Sequence, residues 1–103
     1  MGKKWFVIYT TSAFECPYCI KVKELLNVYG FDFYEKDIHT NGNYKKEFLE
    51  RGFKKVPQVY FEDSLIGGFD VTKDWIRGKF FENFGDDKKK KILDELGSLE
   101  LTS

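Results

Sequence analysis

The sequence predicts an α/β fold, and three observations carry that prediction. The run Trp5-Phe6-Val7-Ile8-Tyr9 is continuously aromatic and β-branched, as expected of a strand buried on both faces. From Pro17 to Tyr29 the apolar residues recur at helical spacing. Phe31 to Ile38 then alternates aromatic and charged side chains, the period of a second strand near a sheet edge. Strand, helix and strand in this order form a unit whose two strands are expected to be parallel and joined by a right-handed crossover.

Each element has its own local cause. In the first helix Cys19, Val22, Leu26 and Tyr29 share one face, whereas Lys21, Lys23 and Glu24 fall elsewhere. Pro17 suits its first turn, where a missing N–H costs nothing, and Gly30 ends it. Asn41-Gly42-Asn43 reads as a turn, with Asn43 as the cap of a short helix from Tyr44 to Arg51 that Gly52 closes. Val59-Tyr60-Phe61 and Leu65-Ile66 read as a hairpin around Glu62-Asp63-Ser64. After Gly67-Gly68, Asp70 is the expected cap of a third helix running through Trp75 to about Phe80. Asp86 to Leu96 forms a last amphipathic helix, and Gly97 to Ser103 are expected to fray. The order is β-α-β-α-β-β-α with one further helix, and no repeat or linker interrupts it.

Composition narrows the function. The 103 residues fit one compact domain, 1–103, and 42% hydrophobic with 18% aromatic residues excludes a disordered chain. Lys and Arg number 17 and Asp and Glu number 17, so the formal charge is zero and a nucleic-acid partner is not expected. Lys88 to Lys91 lies among Asp86, Asp87, Asp94 and Glu95 and reads as the solvated side of a helix. Trp5 to Tyr9, the longest apolar run, is far too short to span a bilayer. Lys3 and Lys4 faintly imitate a secretory leader, but no adequate apolar core or small-residue cleavage site follows. A cytoplasmic protein without a membrane partner is the expectation.

The two cysteines point to chemistry. They stand together in Cys16-Pro17-Tyr18-Cys19, a loop too small to stabilise a fold by restraining the unfolded chain. The pair follows a strand and opens a helix, where unpaired N–H groups and a partial positive charge favour a thiolate. Cys16, at or just before the first turn, is the expected nucleophile. Cys19, three residues on, is positioned to resolve a mixed disulfide. A structural zinc site usually takes four ligands, and the single histidine, His39, reads as a surface residue, so no metal is expected.

With these residues the chain resembles the glutaredoxins, glutathione-dependent members of the thioredoxin-like superfamily. Cys16-Pro17-Tyr18-Cys19 is identical to that family's dithiol motif. Val56-Pro57-Gln58 is similar to its Thr-Val-Pro segment, and Gly67-Gly68-Phe69-Asp70 to its Gly-Gly-aromatic-Ser/Thr/Asp segment. Lys36-Asp37-Ile38 also resembles the end of its second strand. The resemblance implies a thioredoxin-like fold, a four-stranded mixed sheet flanked by helices. It implies glutathione-dependent thiol–disulfide exchange by a monomer that holds no bound redox cofactor. Val56 would offer its backbone to the cysteinyl part of glutathione. A cis Pro57 would sit beside the Cys16 sulfur. Gly68, Phe69 and Asp70 would hold the γ-glutamyl end, and Tyr18 would flank the tripeptide. The implied protein partners carry disulfides or bound glutathione, ribonucleotide reductase among them.

Two departures from the family pattern stand out. Ala13 occupies the position where many members have Lys or Arg, and Glu15 adjoins Cys16, where a carboxylate raises a thiol pKa. Lys55 replaces the usual Thr before Val56, beside Lys54, and these two lysines are the expected electrostatic support for the thiolate. The rival readings are a thioredoxin-like reductase served by a flavoenzyme, and an iron–sulfur carrier in which glutathione and Cys16 from two chains ligate a cluster. Gly67 to Asp70 argues against the first and Pro17 against the second.

Overall fold

Residues 6–101 are described by the structure, a computed structural model, with side chains through Leu99. The chain forms β1 (Phe6–Thr10), α1 (Pro17–Tyr29), β2 (Phe33–Asp37), α2 (Gly42–Glu50), β3 (Gln58–Phe61), β4 (Ser64–Gly67), α3 (Phe69–Phe80) and α4 (Asp86–Leu101). A single 3₁₀ turn at Phe81–Asn83 links the last two helices. The sheet order is β2-β1-β3-β4. β1 runs parallel to β2 and antiparallel to β3, and β3 runs antiparallel to β4, so the sheet is mixed as expected.

Central placement explains the composition of β1: Phe6, Ile8, Tyr9 and Thr10 are all buried. Phe6 and Ile8 face a core built by Val22, Leu25, Leu26 and Tyr29 of α1 with Ile76 of α3 and Ile92 and Leu96 of α4. Tyr9, on the opposite face, meets Phe48 of α2 at 5.8 Å and Phe53 at 6.3 Å between ring centroids. The first helix keeps its expected bounds. Pro17 is its first residue, and Gly30, at φ 82°, ends it in the left-handed conformation that glycine adopts without strain. β2 is an edge strand as expected, though shorter than Phe31 to Ile38.

Four local expectations need correction. Asn41, not Asn43, caps α2, because its carboxamide oxygen accepts the N–H groups of Asn43 and Tyr44 at 2.9 and 3.2 Å. Gly42 and Asn43 therefore belong to the first turn. The hairpin loop is two residues, Glu62 and Asp63, at φ 49° and 71°; Ser64 pairs with Phe61 and belongs to β4. Positive φ at both loop positions matches the twist of the flanking strands. Asp70 does not cap α3: the helix begins at Phe69 after Gly68, which makes no side-chain cap, and Asp70 lies in the first turn. Lastly, α4 continues beyond Leu96 through Gly97 to Leu101, because burying Leu99 in the core outweighs the cost of a helical glycine. Trp5 of the predicted first strand, and Thr102 and Ser103 of the predicted frayed end, lie outside the described residues.

Candidate active site

The site begins where β1 ends. The following loop is tied to β2, whose last residue, Asp37, accepts the N–H of Ser12 at 3.1 Å and that of His39 at 2.9 Å. Partial burial opposes the charge of Asp37, but hydrogen bonds from Ser12, His39 and Thr40 outweigh it and hold the carboxyl below its usual range. Ile38 donates its N–H to the Thr10 carbonyl at 2.9 Å, fixing the same junction from the other strand. His39 is exposed, as its sequence setting suggests.

Cys16 emerges from this loop as the N-cap of α1. Its sulfur accepts the Cys19 N–H at 3.2 Å, and its carbonyl accepts the Ile20 N–H at 3.1 Å. The two cysteines form a disulfide, with Cα atoms 5.2 Å apart. Each sulfur marks where the corresponding thiol or thiolate stands after reduction. Cys16 is the more accessible of the two, but at 8% against 2% exposed the contrast is smaller than the sequence suggests. The helix start accounts for this, since the sulfur is folded back over the first turn rather than held out in solvent.

Two grooves flank the cysteine pair. One, of about 300 Å³, is walled by Val56, Pro57 and Gln58 on one side and by Gly68, Phe69 and Asp70 on the other, with Tyr18 at its rim. The Val56–Pro57 peptide is cis. Gln58 donates from its side chain to the Lys55 carbonyl at 3.0 Å, bracing the loop. Phe69 is buried and stands 6.1 Å from the Tyr18 ring, with the Lys21 ammonium 5.3 Å from the Tyr18 ring centroid and 5.9 Å from that of Phe69. The second groove, of about 330 Å³, contains Cys16 and is lined by the apolar side chains of Phe14, Ile38, Phe48 and Val56. Lys54 and Lys55 wall it, and the two grooves meet at Lys55 and Val56. Ala13 and Glu15 are exposed and line neither groove.

The structure thus gathers all the candidate site residues except Cys19 along the two grooves. Cys19 joins them through the disulfide. Sequence reasoning missed Thr11, Ile38, Phe48 and Val71, which line the grooves by virtue of tertiary packing. It also missed a network beneath the second groove. The Tyr9 hydroxyl donates to Glu47 at 2.7 Å and the Lys36 ammonium donates to the same oxygen at 2.9 Å. Burial, reinforced by the bond to Glu47, pushes the Tyr9 hydroxyl pKa up. Burial is the largest single influence on Lys36 and works against its charge, yet the hydrogen bond to Glu47 together with the attraction of Tyr9 and Glu47 outweighs it and raises the ammonium pKa. Only the resemblance around Lys36-Asp37 hinted at this corner.

Among the described residues, no group of three or more His, Cys, Asp or Glu is arranged to hold a metal. No described helix is long and apolar enough to cross a membrane.

Known proteins match this architecture. The Glutaredoxin family model covers residues 6–66. Glutaredoxin 1 of Rickettsia felis is 35% identical over 91 residues, which span 82% of this chain and 85% of that one. Glutaredoxin 3 of Escherichia coli K12 is 39% identical over 64 residues, 61% of this chain and 75% of its own. The crystal structure of wheat glutaredoxin superimposes with a TM-score of 0.61 at 26% identity, covering 75% of this chain and 73% of that one.

Proposed function

The chain belongs to the glutaredoxin family and is a thiol–disulfide oxidoreductase, and from that premise we propose that glutathione is its reductant. Its substrates are then protein disulfides and proteins carrying bound glutathione. One observation carries this reading: the cysteine that caps α1 lines a groove that shares Lys55 and Val56 with a second groove lined by cis Pro57, Gly68 and Asp70. Val56 supplies an extended backbone edge for the cysteinyl unit of glutathione. The first turn of α3 offers free N–H groups to the γ-glutamyl carboxylate, and Asp70 meets its ammonium. Tyr18 covers the tripeptide from the rim.

In the reduced protein the Cys19 N–H and the start of α1 stabilise a Cys16 thiolate, with Lys54 and Lys55 adding positive charge from the facing wall. The thiolate attacks the glutathione sulfur of a mixed disulfide. A Cys16–glutathione disulfide forms as the old S–S bond breaks, and the substrate leaves as a thiolate that takes up a proton. A second glutathione thiolate then attacks the bound glutathione sulfur, releasing oxidised glutathione and restoring the Cys16 thiolate. With a protein disulfide, Cys19 attacks the Cys16–substrate bond instead. The substrate departs with both sulfurs reduced, and two glutathione molecules later reduce the Cys16–Cys19 bond. This chemistry uses no metal or resident cofactor and suits a reducing cytoplasm. It needs only one such domain acting as a monomer. Ribonucleotide reductase is one protein substrate of the required kind.

The test couples the protein to glutathione, glutathione reductase and NADPH with the mixed disulfide of glutathione and 2-mercaptoethanol as substrate. NADPH consumption that depends on glutathione supports the reading. Turnover only with thioredoxin reductase overturns it, as does a visible chromophore with dimerisation on anaerobic iron–sulfur reconstitution in place of turnover.

A further inference from the structure

Tyr18 stands at the rim of the groove assigned above to glutathione, yet little in its own setting fixes it there. It follows Pro17 in the first turn of α1 and is 54% exposed, so the helix holds its backbone while the ring projects toward solvent. A side chain so placed moves among staggered rotamers unless a neighbour selects one. Two neighbours are in place. Phe69, the buried first residue of α3, stands 6.1 Å from the Tyr18 ring at an interplanar angle of 40° and provides an anchored surface. Lys21 lies three residues after Tyr18, the spacing that brings side chains together along a helix. Its ammonium is 5.3 Å from the Tyr18 centroid and 5.9 Å from that of Phe69, within the range of cation–π attraction to both rings.

Lys21 has no competing use for its charge. Among the described residues its ammonium meets no carboxylate, whereas Lys23, on the same helix, pairs with Glu35 at 3.0 Å. The Lys21 side chain is half-buried rather than extended into solvent. It does not line the groove itself, so it reaches the site through the rings. We propose that Lys21 is a positioning residue: shared between the Tyr18 and Phe69 rings, its ammonium holds Tyr18 against α3 and keeps the rim of the groove formed before glutathione arrives. The clamp joins the helix that carries both cysteines to the helix that carries Asp70. A preformed wall spares the tripeptide the cost of ordering the ring, so the gain falls on glutathione recognition and leaves the chemistry of Cys16 untouched. The inference rests on this groove being the glutathione site, as the proposed function has it.

A ratio of rates tests the role. Reduced Cys19→Ser protein is mixed with oxidised glutathione or with bis(2-hydroxyethyl) disulfide. The initial rate at which Cys16 forms each mixed disulfide is read by mass spectrometry after acid quenching. Dividing the first rate by the second cancels any change in Cys16 reactivity and leaves the contribution of the tripeptide. Lys21→Met, which keeps the length of the side chain without its charge, should lower this ratio about threefold, the scale of an exposed cation–π contact. Lys21→Arg should restore it, and Lys21→Met should have no further effect in a Tyr18→Leu background. An unchanged ratio in Lys21→Met overturns the proposal. So does an equal loss in the Tyr18→Leu background, which would mean that the charge acts on glutathione directly. Nuclear magnetic resonance of the reduced protein without glutathione provides the second readout. The Lys21 ε-methylene protons should be shifted upfield by the rings, and the Tyr18–Phe69 ring cross-peaks should weaken in Lys21→Met and recover in Lys21→Arg. Absence of this signature from the wild type also overturns the proposal. If the wild type shows the signature but does not prefer the glutathione disulfide, the choice of reductant falls and the hold of Lys21 on the ring stands.

Discussion

Cys16 and Cys19 are one helical turn apart, yet α1 gives them different chemistry. Cys16 caps the helix and accepts an amide hydrogen bond; Cys19 lies inside the first turn, 2% exposed, where the neutral thiol is favoured. Cys16→Ser is therefore expected to abolish reduction of both protein disulfides and glutathione-mixed disulfides. Cys19→Ser is expected to lose the former while retaining the latter, where a second glutathione resolves the intermediate. Assay of both variants on both substrate types checks the assignment, and the opposite pattern reverses it. Glu15 is exposed and adjacent to Cys16, so Glu15→Gln should increase the thiolate fraction near neutral pH, read as a lower midpoint in the pH dependence of Cys16 alkylation. At this scale much was readable from the sequence, because Cys16, Pro17, Cys19 and Gly30 act through the local backbone. Asn41 was misassigned for a related reason. Asn41 and Asn43 both suit a cap, and only the turn geometry shows whose carboxamide reaches the free N–H groups.

Helix α2 is held to the sheet by a pair of hydrogen bonds converging on one carboxylate. Lys36 of β2 and Tyr9 of β1 both donate to Glu47, with the hydrogen bond from Lys36 the larger cause lowering its pKa from the ordinary 4.5. A carboxyl with a lowered folded-state pKa stabilises the fold above its unfolded value, and that contribution is lost as pH falls through the folded value. The stability gap between wild type and Glu47→Gln should thus be full above about pH 5 and shrink progressively below about pH 4. Because Glu47 is 38% exposed, the full gap should be modest, about 1 kcal/mol in urea titrations. A gap that is constant across this range would remove the carboxylate from the account. No periodicity in Gly42 to Glu50 announces the arrangement, since Glu47 finds its partners on two other elements. The end of α4 escaped prediction similarly: Gly97 signals a stop locally, but Leu99 is buried in the core, and tertiary packing prevails over propensity.

Across the whole molecule, α1, α3 and α4 share one core with the central strand. We propose that residues 1–103 unfold as a single cooperative unit. Urea transitions followed by tryptophan fluorescence and by far-ultraviolet circular dichroism should coincide. Ile92→Ala, at a fully buried position of α4, should shift both together by about 2–5 kcal/mol. Transitions that separate would place α4 in an independently melting segment. The sheet order β2-β1-β3-β4 has a further consequence for a chain made from its N-terminus. When the chain through α2 has left the ribosome, β1 has only β2 beside it, and a two-stranded pairing is marginal in water. The antiparallel partner at Gln58–Phe61 and the Val56–Pro57 wall of the site arrive later. During synthesis the reactive cysteines are therefore translated well before the strand that completes their scaffold, and both thiols precede the wall that later borders them.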